Sequence, residues 1–215
     1  MKRPALLLLC CTLMCTSVGC LKRGDIPKDA TPVDMPPKVE PYTVEDGTFD
    51  VHAVRSNINI KGEHFDLPQP LSELGEGWTY ELLDRKDYDL REGSGYAKLF
   101  FNGTEMATVS LENCYSGKED KSVIYSISIQ TSDCDIYGIV PLVSTAEDVE
   151  KLLGKPDDEQ NMEVPFKHTY TYGVLNGTDH NGIVRGHSIV VDLDEKGVVD
   201  FLKITYSDIT DAEMK

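Results

Sequence analysis

Five histidines, two internal cysteines and an excess of carboxylates are the groups from which any chemistry in this chain has to come. His52, His64, His168, His180 and His187 fall at none of the H-x-x-x-H or H-E-x-x-H spacings that place two imidazoles on one metal. His180 and His187 flank Asn181-Gly182 beside Asp179, a set that would seat a divalent ion only if the turn gathered all three. His168 alternates with Phe166, Tyr170 and Tyr172, where a partly buried, hydrogen-bonded imidazole is the simpler reading. Asp192-x-Asp194-x-Lys196-Gly197 imitates the start of a calcium loop, but the twelfth position is Lys203 and not Glu, so it reads as a hairpin. Asp157, Asp158 and Glu159 follow Pro156 as a solvated acidic loop. Cys114 or Cys134 as a nucleophile would need a neighbouring base and an orienting group, and nothing local supplies them. Glycine-rich phosphate loops, CxxC pairs and basic-aromatic stripes do not occur. The sequence therefore predicts no catalytic residue, no metal site and no cofactor. The alternative, a secreted-face hydrolase or metal-binding protein using a His/Cys site, requires that folding bring such groups together.

The elements that carry these residues begin with an export signal. Residues 1–19 open with Lys2 and Arg3 and continue through an apolar run from Ala5 to about Met14, well short of the roughly 20 residues that span a bilayer. Ser17-Val18-Gly19-Cys20 resembles the lipobox of bacterial lipoproteins, with Ser17 where Leu is most usual. The resemblance implies cleavage before Cys20 and acylation of its sulfur. Several acyl chains, at roughly 0.8 kcal/mol per buried methylene, would hold the protein permanently on the extracytoplasmic face of the cell membrane.

Residues 20–49 carry the anchor and then read as a disordered tether, with Pro27, Pro32, Pro36, Pro37 and Pro41 among alternating charges. Lys22 and Arg23, beside the anchor, can meet acidic headgroups. Removing the leader takes two cations and no acid, so the formal charge moves from -16 to -18. That excess argues against nucleic acid as a partner, because affinity for phosphate polyanions comes from clustered Lys and Arg. The expected partners are the bilayer, through acylated Cys20, and an envelope or extracellular protein.

With Cys10, Cys11 and Cys15 in the leader and Cys20 modified, Cys114 and Cys134 remain in a disulfide-permissive compartment. An intervening strand from about Val123 to Gln130 would hold their sulfurs some 25 Å apart at 3.3 Å per residue. Bridged α-carbons must lie within about 7 Å. A disulfide requires the chain to turn back after Thr131, and both readings stay open.

Two spans of strand-like alternation follow, 50–131 and 132–208, each expected to form one αβ unit. In the first, VHAVRSNINI alternates from Val51 to Lys61-Gly62, and Ser72-Glu73-Leu74 offers one helical turn. Trp78 is expected as a buried anchor, Asp84 to Glu92 as mobile, and YAKLFF with Asn102-Gly103 as a strand and hairpin turn. Ala107, Val109 and Leu111 share one face; Val123, Tyr125, Ile127 and Ile129 share another, leaving the sheet's second face wet or lightly covered. In the second span Ser144 opens a capping box with Glu147. Ala146, Val149, Leu152 and Leu153 form an apolar stripe, and Gly154 and Pro156 stop the helix. Strands are expected over Phe166–Gly173, Gly186–Leu193 and Val198–Tyr206.

The order of capped helix, LLGKPD, TYTYG and IVVDLDEKGVVDFLKITY resembles the repeating unit of the β-lactamase-inhibitor-protein-like fold, shared with outer-membrane assembly lipoproteins and Gram-positive lipoproteins. It is carried by Glu147, Val149, Leu152, Gly154, Pro156, Tyr172, Asp194, Gly197 and Val198. The resemblance implies an α+β fold: an antiparallel sheet with short helices on one face, built from two related helix-plus-strands units. It also implies a non-catalytic protein-binding or envelope assembly module. No motif for binding a β-lactamase can be placed on these residues. Tyr125, Tyr137, Tyr170 and Tyr172 are the candidate binding face, since tyrosine offers an apolar ring with a polar tip.

Overall fold

The computed structural model describes residue 35 and residues 37–84, 93–163, 166–178 and 184–207. The expected leader, Cys20, residues 85–92, the expected Asn181-Gly182 turn with Asp179 and His180, and the tail from residue 208 lie outside the described residues.

Asp50 sets the first element. Its carboxylate accepts from the backbone N–H groups of His52 and Ala53, capping a short helix α1 (Val51–Arg55) where alternation alone predicts a strand. Extended structure begins only at β1 (Ile58–Ile60), which turns through Lys61 and Gly62, both at positive φ, into β2 (Glu63–Phe65). β3 (Gln69–Pro70) leads into a 3-10 turn at Leu71–Glu73, in place of the turn expected at Ser72–Leu74. A meander follows: β4 (Trp78–Leu82), β5 (Gly93–Phe101), β6 (Thr104–Cys114) and β7 (Val123–Ile129). Asn102 and Gly103, with φ of 49° and 79°, make the tight turn between β5 and β6 that their residue types call for.

β8 (Cys134–Ile136) turns back to pair with β1, so β2, β1 and β8 form a small separate sheet. Helix α2 (Ala146–Leu153) then precedes a second meander: β9 (Asp158–Glu163), β10 (Phe166–Thr178), β11 (Val184–Leu193) and β12 (Val199–Tyr206). The capping box of α2 sits one residue later than the sequence pattern places it. Thr145 accepts from the Asp148 N–H, and the Asp148 carboxylate accepts from the Thr145 N–H. The Ser144 hydroxyl instead accepts from the Val140 N–H at 3.0 Å, in the turn that precedes the helix. The acidic stretch from Asp158, expected as a loop, is a fully exposed edge strand paired with β10.

The two meanders join edge to edge. Strand order is β4-β5-β6-β7-β12-β11-β10-β9, antiparallel throughout, with β3 added against β7. The core lies on one face of this sheet. Ala97, Val109, Ile127, Ile204, Ile189 and Tyr172 follow one another across six strands in register, each at most 1% exposed. Burial of each valine or isoleucine in this row contributes roughly 1.5–3 kcal/mol. Val149 and Leu153 of α2 and Ala53 and Val54 of α1 enter the same cluster, so both helices feed one core.

Residues 37–49 run along the domain and do not continue the tether to residue 49. The Val44 N–H donates to the Tyr137 hydroxyl, the Gly47 N–H donates to the Leu152 carbonyl at the end of α2, and Val44 and Phe49 pack on the core. Arg55, 2% exposed, pins the segment from beneath, donating to the Pro37 carbonyl at 3.2 Å and pairing with Asp66 at 2.8 Å. Prolines and charges set the composition of this stretch, but two apolar anchors and a buried guanidinium decide its place.

Candidate functional site: the hydroxyl-lined face of the sheet

A one-residue step along every strand of the core row reaches the opposite face. There the register runs Glu81, Lys98, Thr108, Ser128, Lys203, Val190, Thr171 and Asp158. A second row runs Tyr96, Ser110, Ser126, Thr205 and Ser188. Period-two alternation in β12 is the local cause: Leu202, Ile204 and Tyr206 point to the core, and Phe201, Lys203 and Thr205 to this face. In β7 a register shift makes Tyr125 the extra residue. Ile124 therefore joins Ile127 and Ile129 in the core cluster while Tyr125, 3% exposed, stands outside it. The face that Val123, Tyr125, Ile127 and Ile129 were expected to share is broken at this bulge.

Several polar groups here are tied down. The Ser126 hydroxyl donates to the Ile204 carbonyl at 2.8 Å and lies 3.1 Å from the Thr205 hydroxyl. Lys98 pairs with Glu105 at 2.8 Å, Lys167 pairs with Asp192 at 2.7 Å, and Thr169 donates to the other Asp192 oxygen. Ser207 donates to Glu112 at 2.9 Å.

Lys203 differs from these cations. It is half-buried between Ser128 and Val190, and among the described residues no carboxylate, carbonyl or hydroxyl holds its ammonium. Burial alone pushes its pKa below the ordinary lysine value, with no acid opposing the shift. The hydroxyls of Ser128 and Thr108, next to it in the row, take no hydrogen bond among the described residues either. The arrangement is a partly desolvated cation beside hydroxyls that no described residue engages.

The four tyrosines expected to form a binding face do not form one. Tyr137, Tyr170 and Tyr172 belong to the core, at 8%, 6% and 0% exposure. The Tyr170 hydroxyl donates to Glu150 at 3.1 Å and is pushed up to about 12 by burial; the Tyr172 hydroxyl donates to the Gly154 carbonyl. Their polar tips bond to helix α2 and to the Val44 N–H of the strap formed by residues 37–49, so the buried hydroxyls are satisfied.

Cys114 and Cys134 are both free thiols. Cys134 starts β8 in the small sheet and is buried, its thiol pushed up to about 11 by desolvation, whereas Cys114 ends β6 against Gly95. The open question of a bridge is thereby answered: β8 turns back, but toward β1 and not toward the end of β6.

The histidines are dispersed. His168 bonds to Glu159 at 2.7 Å across β10 and β9 and sits edge-on to Tyr170. His52 and His187 both meet the Tyr206 ring, at 5.7 Å edge-on and 4.1 Å stacked, and the Arg55 guanidinium lies 4.6 Å from the same ring. His64 is exposed on β2. Asp194 accepts from the N–H groups of Lys196 and Val198, closing the β11–β12 hairpin as expected. Trp78 is half-buried, its ring 5.0 Å from those of both Phe65 and Phe101. Among the described residues no three His, Cys, Asp or Glu side chains gather as metal ligands. The residue that sequence reasoning missed is Lys203, noticed only as the wrong twelfth position of a calcium loop. A lysine alternating with Leu202, Ile204 and Tyr206 was the available signal. Comparison with protein-family models, curated proteins and solved structures finds no match to this chain.

Proposed function

We propose that this protein is a bacterial lipoprotein, held on the extracytoplasmic face of the cell membrane through acylated Cys20, whose domain is a non-catalytic binding or envelope assembly module for a protein partner. The leader, the lipobox-like Ser17-Val18-Gly19-Cys20 and the resemblance of residues 132–206 to assembly-lipoprotein repeats support the address and the class. The observation that carries the binding reading is the second face of the central sheet. Its middle carries Thr108, Ser128 and Val190 around Lys203, whose ammonium no described residue holds, with paired charges toward the edges, while the core and both helices occupy the other face.

The test is expression of the full chain in a bacterial host fed an alkynyl fatty acid, with a photo-crosslinking residue at Thr108 on the polar face or at Glu147 on α2. The expected result is acyl labelling that Cys20→Ser abolishes, and a discrete protein adduct from Thr108 that Glu147 does not give. Labelling that persists in Cys20→Ser overturns the anchor. Absence of any adduct specific to Thr108 overturns the binding face.

A further inference from the structure

Lys203 stands in the middle of the sheet in a chain that carries 37 carboxylates, and among the described residues none of them reaches it. β12 has β7, β6, β5 and β4 on one side and β11, β10 and β9 on the other. At about 4.8 Å per strand the nearer edge is three strands and roughly 14 Å away, more than twice the length of a lysine side chain. The ammonium therefore cannot reach solvent by lying along the sheet to an edge, as long cations near an edge do. Lys98 and Lys167, on the same face but nearer the edges, each have an acid within 2.8 Å. Asp192 would be the natural partner two positions along, but Lys167 and Thr169 occupy both of its oxygens.

A half-buried charge without a partner is destabilising, and a protein so rich in acids could cancel it with a single substitution at Ser128 or Val190. We infer that Lys203, with the Ser128 and Thr108 hydroxyls beside it, forms a docking point for a single carboxylate supplied by an acidic ligand of the binding face.

Charge decides between carboxylate and phosphate. One ammonium neutralises one negative charge, while a phosphate near dianionic form would leave a net charge on a desolvated face of a chain already at -16. The hydroxyls supply the remaining geometry. Ser128 lies directly across from Lys203 and Thr108 directly across from Ser128, so the ammonium has one hydroxyl beside it and a second one strand further along the same row. Phe201, two residues before Lys203 on the same strand, offers an apolar flank to the group that bears the carboxylate. This inference deepens the binding reading and rests on it. It names the chemistry the face accepts, and its test uses small probes so that it can fail without the anchor or the partner failing.

The experiment is a titration of the full chain in detergent micelles, following backbone amide resonances with N-acetylglutamate amide, its glutamine counterpart and inorganic phosphate as separate probes. The expected result is saturable shifts at Ser128, Val190, Lys203 and Thr205 with the glutamate probe, none with glutamine, and weaker ones with phosphate. Lys203→Met, which removes the charge and keeps the length, should weaken the glutamate probe at least about tenfold, the scale of one lost charge-assisted contact. Lys203→Arg should restore most of the binding, and Ser128→Ala should weaken it by a smaller factor. Equal binding of glutamate and glutamine probes, unchanged affinity in Lys203→Met, or tighter binding of phosphate would each overturn the assignment.

Discussion

Lys203 is protonated at neutral pH in the unfolded chain, and burial lowers its pKa in the fold, so the two states bind different numbers of protons just below the ordinary lysine value of 10.5. In that window the unfolded state holds more protons, and stability attributable to this residue rises with pH. Below the window the full cost of the buried charge is present. Lys203→Met should therefore stabilise the domain at pH 7, on the order of 1 kcal/mol, with the gain shrinking as the pH approaches 10.5. Thermal melts of the two proteins across that range check it, and a variant less stable than the parent at pH 7 would count against the reading. The cysteines make a second expectation at this scale. Cys134 is 2% exposed with its thiol pushed up to about 11, so it should resist a maleimide at pH 8 until denaturant is added, while Cys114 reacts first. Equal native rates would show that β8 opens readily. Neither property could be read from the chain, because burial of a single side chain depends on which strands lie to either side of it.

Helix α2 shows how far local rules carry at the level of elements. The stripe of Ala146, Val149, Leu152 and Leu153 and the stop at Gly154 were legible because both obey spacing within one segment. The cap was displaced by one residue, since Ser144 is committed to the preceding turn while Thr145 bridges to Val198. Thr145→Ala should cost about 1 kcal/mol in chemical denaturation. The Asp148 carboxyl is held below the usual carboxylate range by the Thr145 N–H, so its contribution is present above its unfolded pKa and is lost as the pH falls through the folded value. At Gly154, φ is 81° and an added Cβ would lie 2.4 Å from the Gly47 carbonyl oxygen. Gly154→Ala should thus cost about 1–3 kcal/mol from backbone strain alone and also loosen the strap, raising protease sensitivity between residues 37 and 49. Two elements escaped the reading for opposite reasons. α1 looks like a strand because VHAVR runs directly into the alternation of Asn57-Ile58-Asn59-Ile60, and only the Asp50 cap and contact with β11 and β12 make it helical. β9 looks like a loop because all its residues but Met162 are polar, yet charged side chains are what an exposed sheet edge carries to deter further pairing.

Over the whole molecule the two halves of the chain are interlocked. β7 of the first meander pairs with β12 of the second, β8 returns to β1, and α1 lies on β11 and β12. A chain ending at residue 131 should consequently show no cooperative unfolding, whereas the full chain should unfold in one transition by circular dichroism. Separate transitions for the halves would contradict this interlock. What the amino-acid order determined by itself was what neighbours along the chain govern: the period-two strands, the Asn102-Gly103 and Asp194 turns, the apolar stripe of α2 and the antiparallel α+β class. What only the tertiary structure decided was which strand became the centre. β12 comes last in sequence and yet sits between β7 and β11, so Lys203 is flanked and desolvated on both sides, and tyrosines that looked suited to an interface are sealed into the core. The physical reason is that alternation assigns each side chain to one of two faces, but strand order and the placing of helices determine which face is dry, and those depend on pairings between residues more than seventy positions apart.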